Sequence, residues 1–148
     1  MLLHKGSWLG RGKVLVEGAS VGERVELDVA VQEDAEGVTL SGTLAGEYQG
    51  NVSIRIAPHE SGTYVVDARL LGLALDGIAK LESEPNHALL WNEAQTQLGS
   101  LSLWRISGGV GCRGFWRENG KVRTWEVLFK LKAQALTGGN VVSLRRRR

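Results

Sequence analysis

Apolar and polar residues take turns along most of this chain with a period of two. In 24–32 the odd positions Val25, Leu27, Val29 and Val31 form one face while Arg24, Glu26 and Asp28 form the other, which is the signature of a strand buried on one side only. The same alternation runs through 38–44, 52–56, 64–70, 71–81 and 97–106, with Gly, Asn, Ser or Pro clusters marking turns between them. Consecutive strands of this kind predict a meander in which chain neighbours pair.

The last hairpin can be read to the residue. Asn119-Gly120 lies between two alternating runs and is the preferred two-residue turn with positive φ at both centres. If Glu118 faces Lys121, then Trp116 faces Arg123, Gly114 faces Trp125, Cys112 faces Val127 and Val110 faces Phe129, all on one side of the ribbon. That side is mainly apolar, small or aromatic, and is expected to point inward, with Gly114 leaving room for the Trp125 indole. The other side carries Arg113 opposite Glu126, an ion pair suited to water. Residues 85–95 admit two readings. Ser83 could cap a helix with Pro85 in its first turn and Leu90, Trp91 and Ala94 on one face, but the surroundings favour a strand, and a strand is expected.

Sequential strands with no helical crossover, internal repeat or linker favour closure, which removes exposed sheet edges. The expected fold is all-β: an antiparallel up-and-down β-barrel of about eight to ten strands, one domain over 1–144. Twenty glycines against two prolines suit many short strands and tight turns. The net charge of +2 is concentrated in Arg145, Arg146, Arg147 and Arg148. These are read as a disordered, solvated tail over 145–148; without them the acids outnumber the bases, so the body has no basic face for nucleic acid. A single cysteine, Cys112, excludes an internal disulfide framework and favours a reducing compartment. No apolar run reaches the roughly 20 residues of a membrane helix, and the start of the chain has no leader pattern, so a soluble, cytoplasmic protein is expected.

Gly6-Ser7-Trp8 followed by Gly10 and Gly12 resembles the opening of the calycin superfamily, which includes lipocalins and fatty-acid-binding proteins, and is most similar to the start of nitrobindin-like proteins. The resemblance implies that Trp8 closes the barrel floor, packed by a basic residue from a late strand, Arg123 or Lys130. Haem-binding nitrobindins use a late histidine as axial ligand, and this chain has none after His87; haem is therefore disfavoured, and neither a cofactor nor a metal ligand is assigned. Arg123-Thr124-Trp125 resembles the Arg-x-Tyr pair with which fatty-acid-binding proteins hold a carboxylate, with Trp in place of Tyr.

The chemistry-bearing residues are few. Trp91, Trp104, Trp116 and Trp125 are ordinary packing residues or, as a group, the lining of an apolar pocket. Arg123 is a rim residue stacked on Trp116 and Trp125, or an anion receptor. Cys112 reads as a small buried hydrophobe. His4, His59 and His87 lack the spacing of a local metal site. Asp76 and Glu126 are read as outward, although an enzyme of this shape would need such a carboxylate in the lumen. The leading expectation is a barrel that binds a small apolar or amphipathic molecule, an acidic one if Arg123 receives its head. The alternatives are an enzyme of the same shape and a filled barrel that serves as an interaction module. The expected partner is that small molecule, with no nucleic acid and no membrane span; a homodimer is left open.

Overall fold

The computed structural model describes residues 1–81 and 84–133. Its strands are β1 (Gly6–Val16), β2 (Glu23–Asp34), β3 (Gly37–Gly46), β4 (Gly50–Pro58), β5 (Tyr64–Leu70), β6 (Leu73–Leu81), β7 (Glu84–Trp91), β8 (Gln97–Ile106), β9 (Gly109–Glu118) and β10 (Lys121–Leu131). Each pairs antiparallel with its predecessor, and β1 closes on β10, giving an up-and-down barrel of ten strands. The residues of 134–148, including the four terminal arginines, lie outside the described set. Among the described residues no helix is long and apolar enough to cross a membrane.

Periodicity decides which side chains enter the barrel. On β2 the valines Val25, Val29 and Val31 are buried while Arg24, Glu26 and Asp28 face outward. The final hairpin forms in the expected register, from Lys121 opposite Glu118 to Phe129 opposite Val110, and Asn119 and Gly120 adopt φ of 49° and 77°, as a type I′ turn requires. Residues 84–91 form a strand. The helical alternative fails because Ala88 and Leu90 are needed on the inner wall, where both are buried. Pro85, which has no N–H for a ladder, sits beside the register shift between Ala79 and Leu81 and before the β8 pairing begins at His87.

Two local expectations are corrected. Arg113 does lie opposite Glu126, but it forms no ion pair with it; its guanidinium sits 5.0 Å over the Trp104 ring, where an exposed cation gains from the indole face. The run 71–81 is not one strand either, because Leu71 and Gly72, with φ of 52° and 83°, make a tight turn between β5 and β6. Nothing in a Leu-Gly pair announces that geometry as Asn-Gly does.

The inner wall exchanges aromatic bulk for glycine on the adjacent strand. A Cβ on Gly10 would lie 2.6 Å from Phe129 Cε1, and one on Gly114 would lie 2.6 Å from Trp125 Cζ2 and collide with the Ser100 carbonyl. Gly99 stands in the same way under the Trp116 ring. Gly12 allows the β10 backbone at Glu126 and Val127 to approach, where any Cβ would collide. The spaced glycines that follow Trp8 are therefore the small positions of β1's inward face.

One end of the barrel is sealed. Trp8 is buried, 3% exposed, and its Nε1 donates to the His4 carbonyl at 2.9 Å, while the His4 ring meets the indole edge-on at 5.1 Å. Residues 1–5 cross this end, with Leu3 buried, the Leu2 N–H donating to Asn86 Oδ1 at 2.8 Å and the Met1 ammonium 3.5 Å from Glu84. The basic residue expected against Trp8 is neither of those named. Lys130 is opposite Leu9 and exposed, and Arg123 is opposite Val16 at the far end of β10; Leu3 and His4 pack the indole end instead.

Because the ring and the glycine share one space, Gly114→Ala and Gly99→Ala are each expected to cost about 1–3 kcal/mol. Urea unfolding followed by tryptophan emission measures this, and stability equal to the parent protein would mean that the rings move aside freely.

Candidate functional site

The sheet encloses a cavity of about 420 Å³, within the range of roughly 300–1,000 Å³ typical of small-molecule sites. Aliphatic side chains from β2 to β8 make most of its wall, among them Val29, Ile54, Leu75 and Leu90, and β9 and β10 add Cys112, Trp116, Trp125 and Phe129. Met1 and Leu3 reach it from the sealed end. Among the described residues no buried polar or charged residue interrupts the core.

Polarity is confined to the opposite end, which we call the mouth. Arg123 and Glu118 line the cavity there, with Nη1 of Arg123 3.5 Å from a Glu118 carboxylate oxygen and both side chains about one-third exposed, at 29% and 33%. Gln97 Nε2 donates to Glu118 at 2.6 Å. Tyr48, from the loop between β3 and β4, lines the same region, where Glu23 and Arg123 both act on its hydroxyl. Burial, reinforced by the Glu23 carboxylate, pushes the Tyr48 hydroxyl above the usual phenol range, so it remains a protonated donor at neutral pH. Two buried atoms of this group have no hydrogen-bond partner, Arg123 Nε and Gln97 Oε1.

The five tryptophans divide by strand parity. Trp116 and Trp125 line the cavity, and Trp8 is buried at the sealed end. Trp91 and Trp104, grouped with them on the sequence, stand on the outer face, because Leu90 and Leu103 take the inward positions beside them. Arg123 is engaged by Glu118 and Tyr48, and the indole stacked by an arginine is the outer Trp104. Asp76 is exposed opposite Asp67 and Trp91, and Glu126 is exposed on β10. His4, His59 and His87 serve separate local contacts, with Trp8, Ser61 and Ser102. Among the described residues no group of three or more His, Cys, Asp and Glu side chains is arranged to hold a metal ion.

Tyr48, Gln97 and Leu71 escaped the sequence reading. Tyr48 sits in a loop, where alternation carries no direction; Gln97 opens β8 on the inward parity of Gly99, Leu101 and Leu103, so the alternation held its direction but not its role. Leu71 lines the cavity rim, is 40% exposed and holds a left-handed backbone, a conformation that costs a residue with a branched side chain roughly 1–2 kcal/mol. Glu118 was placed only as the residue facing Lys121; the same hairpin register sets it diagonal to Arg123 on the inward side, but it was not named as its partner.

No protein-family model and no curated protein matches the chain.

Cys112 lines this cavity, and burial pushes its thiol up to about 11, partly offset by a hydrogen bond from Trp125. Its thiolate is favoured in the unfolded chain. The resulting stability is complete below the ordinary value of 9.0 and is lost as pH rises from there toward 11. Cys112→Ala is expected to remove that part of the alkaline decline in urea unfolding, and the native thiol should react with a disulfide reagent at pH 8 far more slowly than in denaturant. Equal rates in the two states would show that the sulfur is open to water. At the mouth, Leu71→Asn is expected to raise stability by about 1 kcal/mol by relieving the left-handed backbone. A loss in the same urea titration would show that the rim contacts of Leu71 outweigh its strain.

Proposed function

We propose that this protein is a calycin-like binding module that holds one small apolar or amphipathic molecule in the barrel lumen. The observation that carries the reading is the cavity itself, about 420 Å³ walled by aliphatic side chains and two indoles. Space of that kind gains affinity by removing apolar surface from water, at roughly 25 cal/mol per Å² before ordering costs. The closure of one end by residues 1–5 and Trp8 and the polar group at the other support entry at the mouth, with an apolar tail toward Trp8.

The up-and-down barrel and the inward Trp8 near the start of β1 support the superfamily resemblance. A filled barrel acting as an interaction module would not need such a volume. An enzyme of this shape would need an acid or base in the lumen. Asp76 and Glu126 are exposed on the outside, and the wall carboxylate, Glu118, is paired with Arg123.

Mass spectrometry of small molecules released from the purified protein identifies a retained ligand, and titration with Nile red, fatty acids and haem surveys the classes. Ala88, buried on the cavity wall, supplies the control. Ala88→Phe is expected to fill the lumen and weaken Nile red binding about tenfold or more, with the far-ultraviolet circular dichroism of the parent. Full dye uptake by that variant would place binding outside the lumen.

A further inference from the structure

We infer that the lumen selects molecules whose head is an uncharged oxygen acceptor, such as an alcohol, ester or amide, over free carboxylates. The inference rests on the binding reading above and names the ligand class of that same site. It also revises the sequence-based expectation that Arg123 would receive an acidic head.

The charge at the mouth is already met. The Arg123 guanidinium is met by Glu118 at one nitrogen, 3.5 Å from Nη1, and acts on the neighbouring Tyr48 hydroxyl. The mouth thus already holds one carboxylate, Glu118, against its guanidinium, with Glu23 acting on the neighbouring Tyr48. An incoming carboxylate would have to displace Glu118 or sit beside it, and two anions sharing one cation in a partly desolvated place repel each other.

Hydrogen-bonding capacity is left over all the same. Arg123 Nε is buried without a partner, on a residue that lines the cavity. A buried donor left unmet is costly, and one acceptor oxygen satisfies it. A hydroxyl or carbonyl oxygen does so without adding charge. Glu118 meets the guanidinium through Nη1 alone, so a carboxylate seated on the Nε edge would still lie beside the Glu118 charge, a cost that a neutral oxygen avoids. The apolar wall then takes the chain attached to that oxygen.

Three probes of equal chain length test this: 1-dodecanol, dodecanamide and dodecanoate, each displacing Nile red from the whole protein at pH 7.5 in 0.15 M salt, the roughly physiological ionic strength at which surface charges are screened beyond ~8 Å. The two neutral probes are expected to bind about tenfold tighter than dodecanoate. Glu118→Gln should raise the affinity for dodecanoate relative to dodecanol about tenfold, because it removes the competing charge at the guanidinium. Arg123→Lys keeps the charge and loses the Nε donor, so dodecanol should weaken about fivefold. Dodecanoate binding as tightly as dodecanol, or an unchanged ratio in Glu118→Gln, would overturn the head-group selection while leaving the lumen reading intact. Failure of Nile red and all three probes to bind the parent protein would instead overturn the lumen reading itself.

Discussion

Pairing of β1 with β10 converts a meander into a cylinder, and the interior depends on that one seam. Nine residue pairs join the two strands, from Trp8 opposite Leu131 to Val16 opposite Arg123. Without them the sheet would have two long edges, each a row of unpaired N–H and C=O groups. With them, strand number sets the diameter. About eight strands enclose a space that side chains can just fill. The ten strands here enclose more than their inward residues occupy, and the excess is the cavity.

The seam also explains the composition of the inner wall. Strands in a closed barrel cross at a tilt, so inward side chains from neighbouring strands compete for the same space. Here the competition is resolved pairwise: Phe129 over Gly10, Trp125 over Gly114 and Trp116 over Gly99. Each large ring covers the backbone of a residue without a side chain, which shields those peptide groups and places apolar surface where the glycine offers none. Aromatic bulk is thereby laid against the wall, and the centre stays open.

Much of this was legible because a period of two carries direction. Once Asn119-Gly120 set the final turn, parity placed Cys112, Trp116, Arg123 and Trp125 on one face, and all four line the cavity. Parity also held the answer for Trp91 and Trp104. Treating the indoles as a group ignored that Leu90 and Leu103, their neighbours in sequence, already occupied the inward positions. The Leu71-Gly72 turn and the role of Tyr48 were not legible, because positive φ at a leucine and the reach of a loop side chain are set by the strands around them. The partner of Arg123 lay in between: the register held it, but only a diagonal reading across the ribbon, from Arg123 to Glu118, brings the opposite charges together.

The two ends of the barrel solve opposite problems with opposite chemistry. At the sealed end, polar groups of the covering segment are met by the strands beneath it, as when the His4 carbonyl accepts from Trp8 and the Leu2 N–H donates to Asn86. At the mouth, the same reasoning leaves a remainder. Arg123 can be carried on an apolar wall because Glu118 and partial exposure offset its desolvation, yet its Nε and the side-chain Oε1 of Gln97 have no partner. Buried polar atoms are nearly always satisfied in folded proteins. A remainder located at the open end of an apolar cavity, and not at its floor, gives the lumen a direction, and under the proposed binding reading that direction would set a polar group at Arg123 and its attached chain among the aliphatic side chains below.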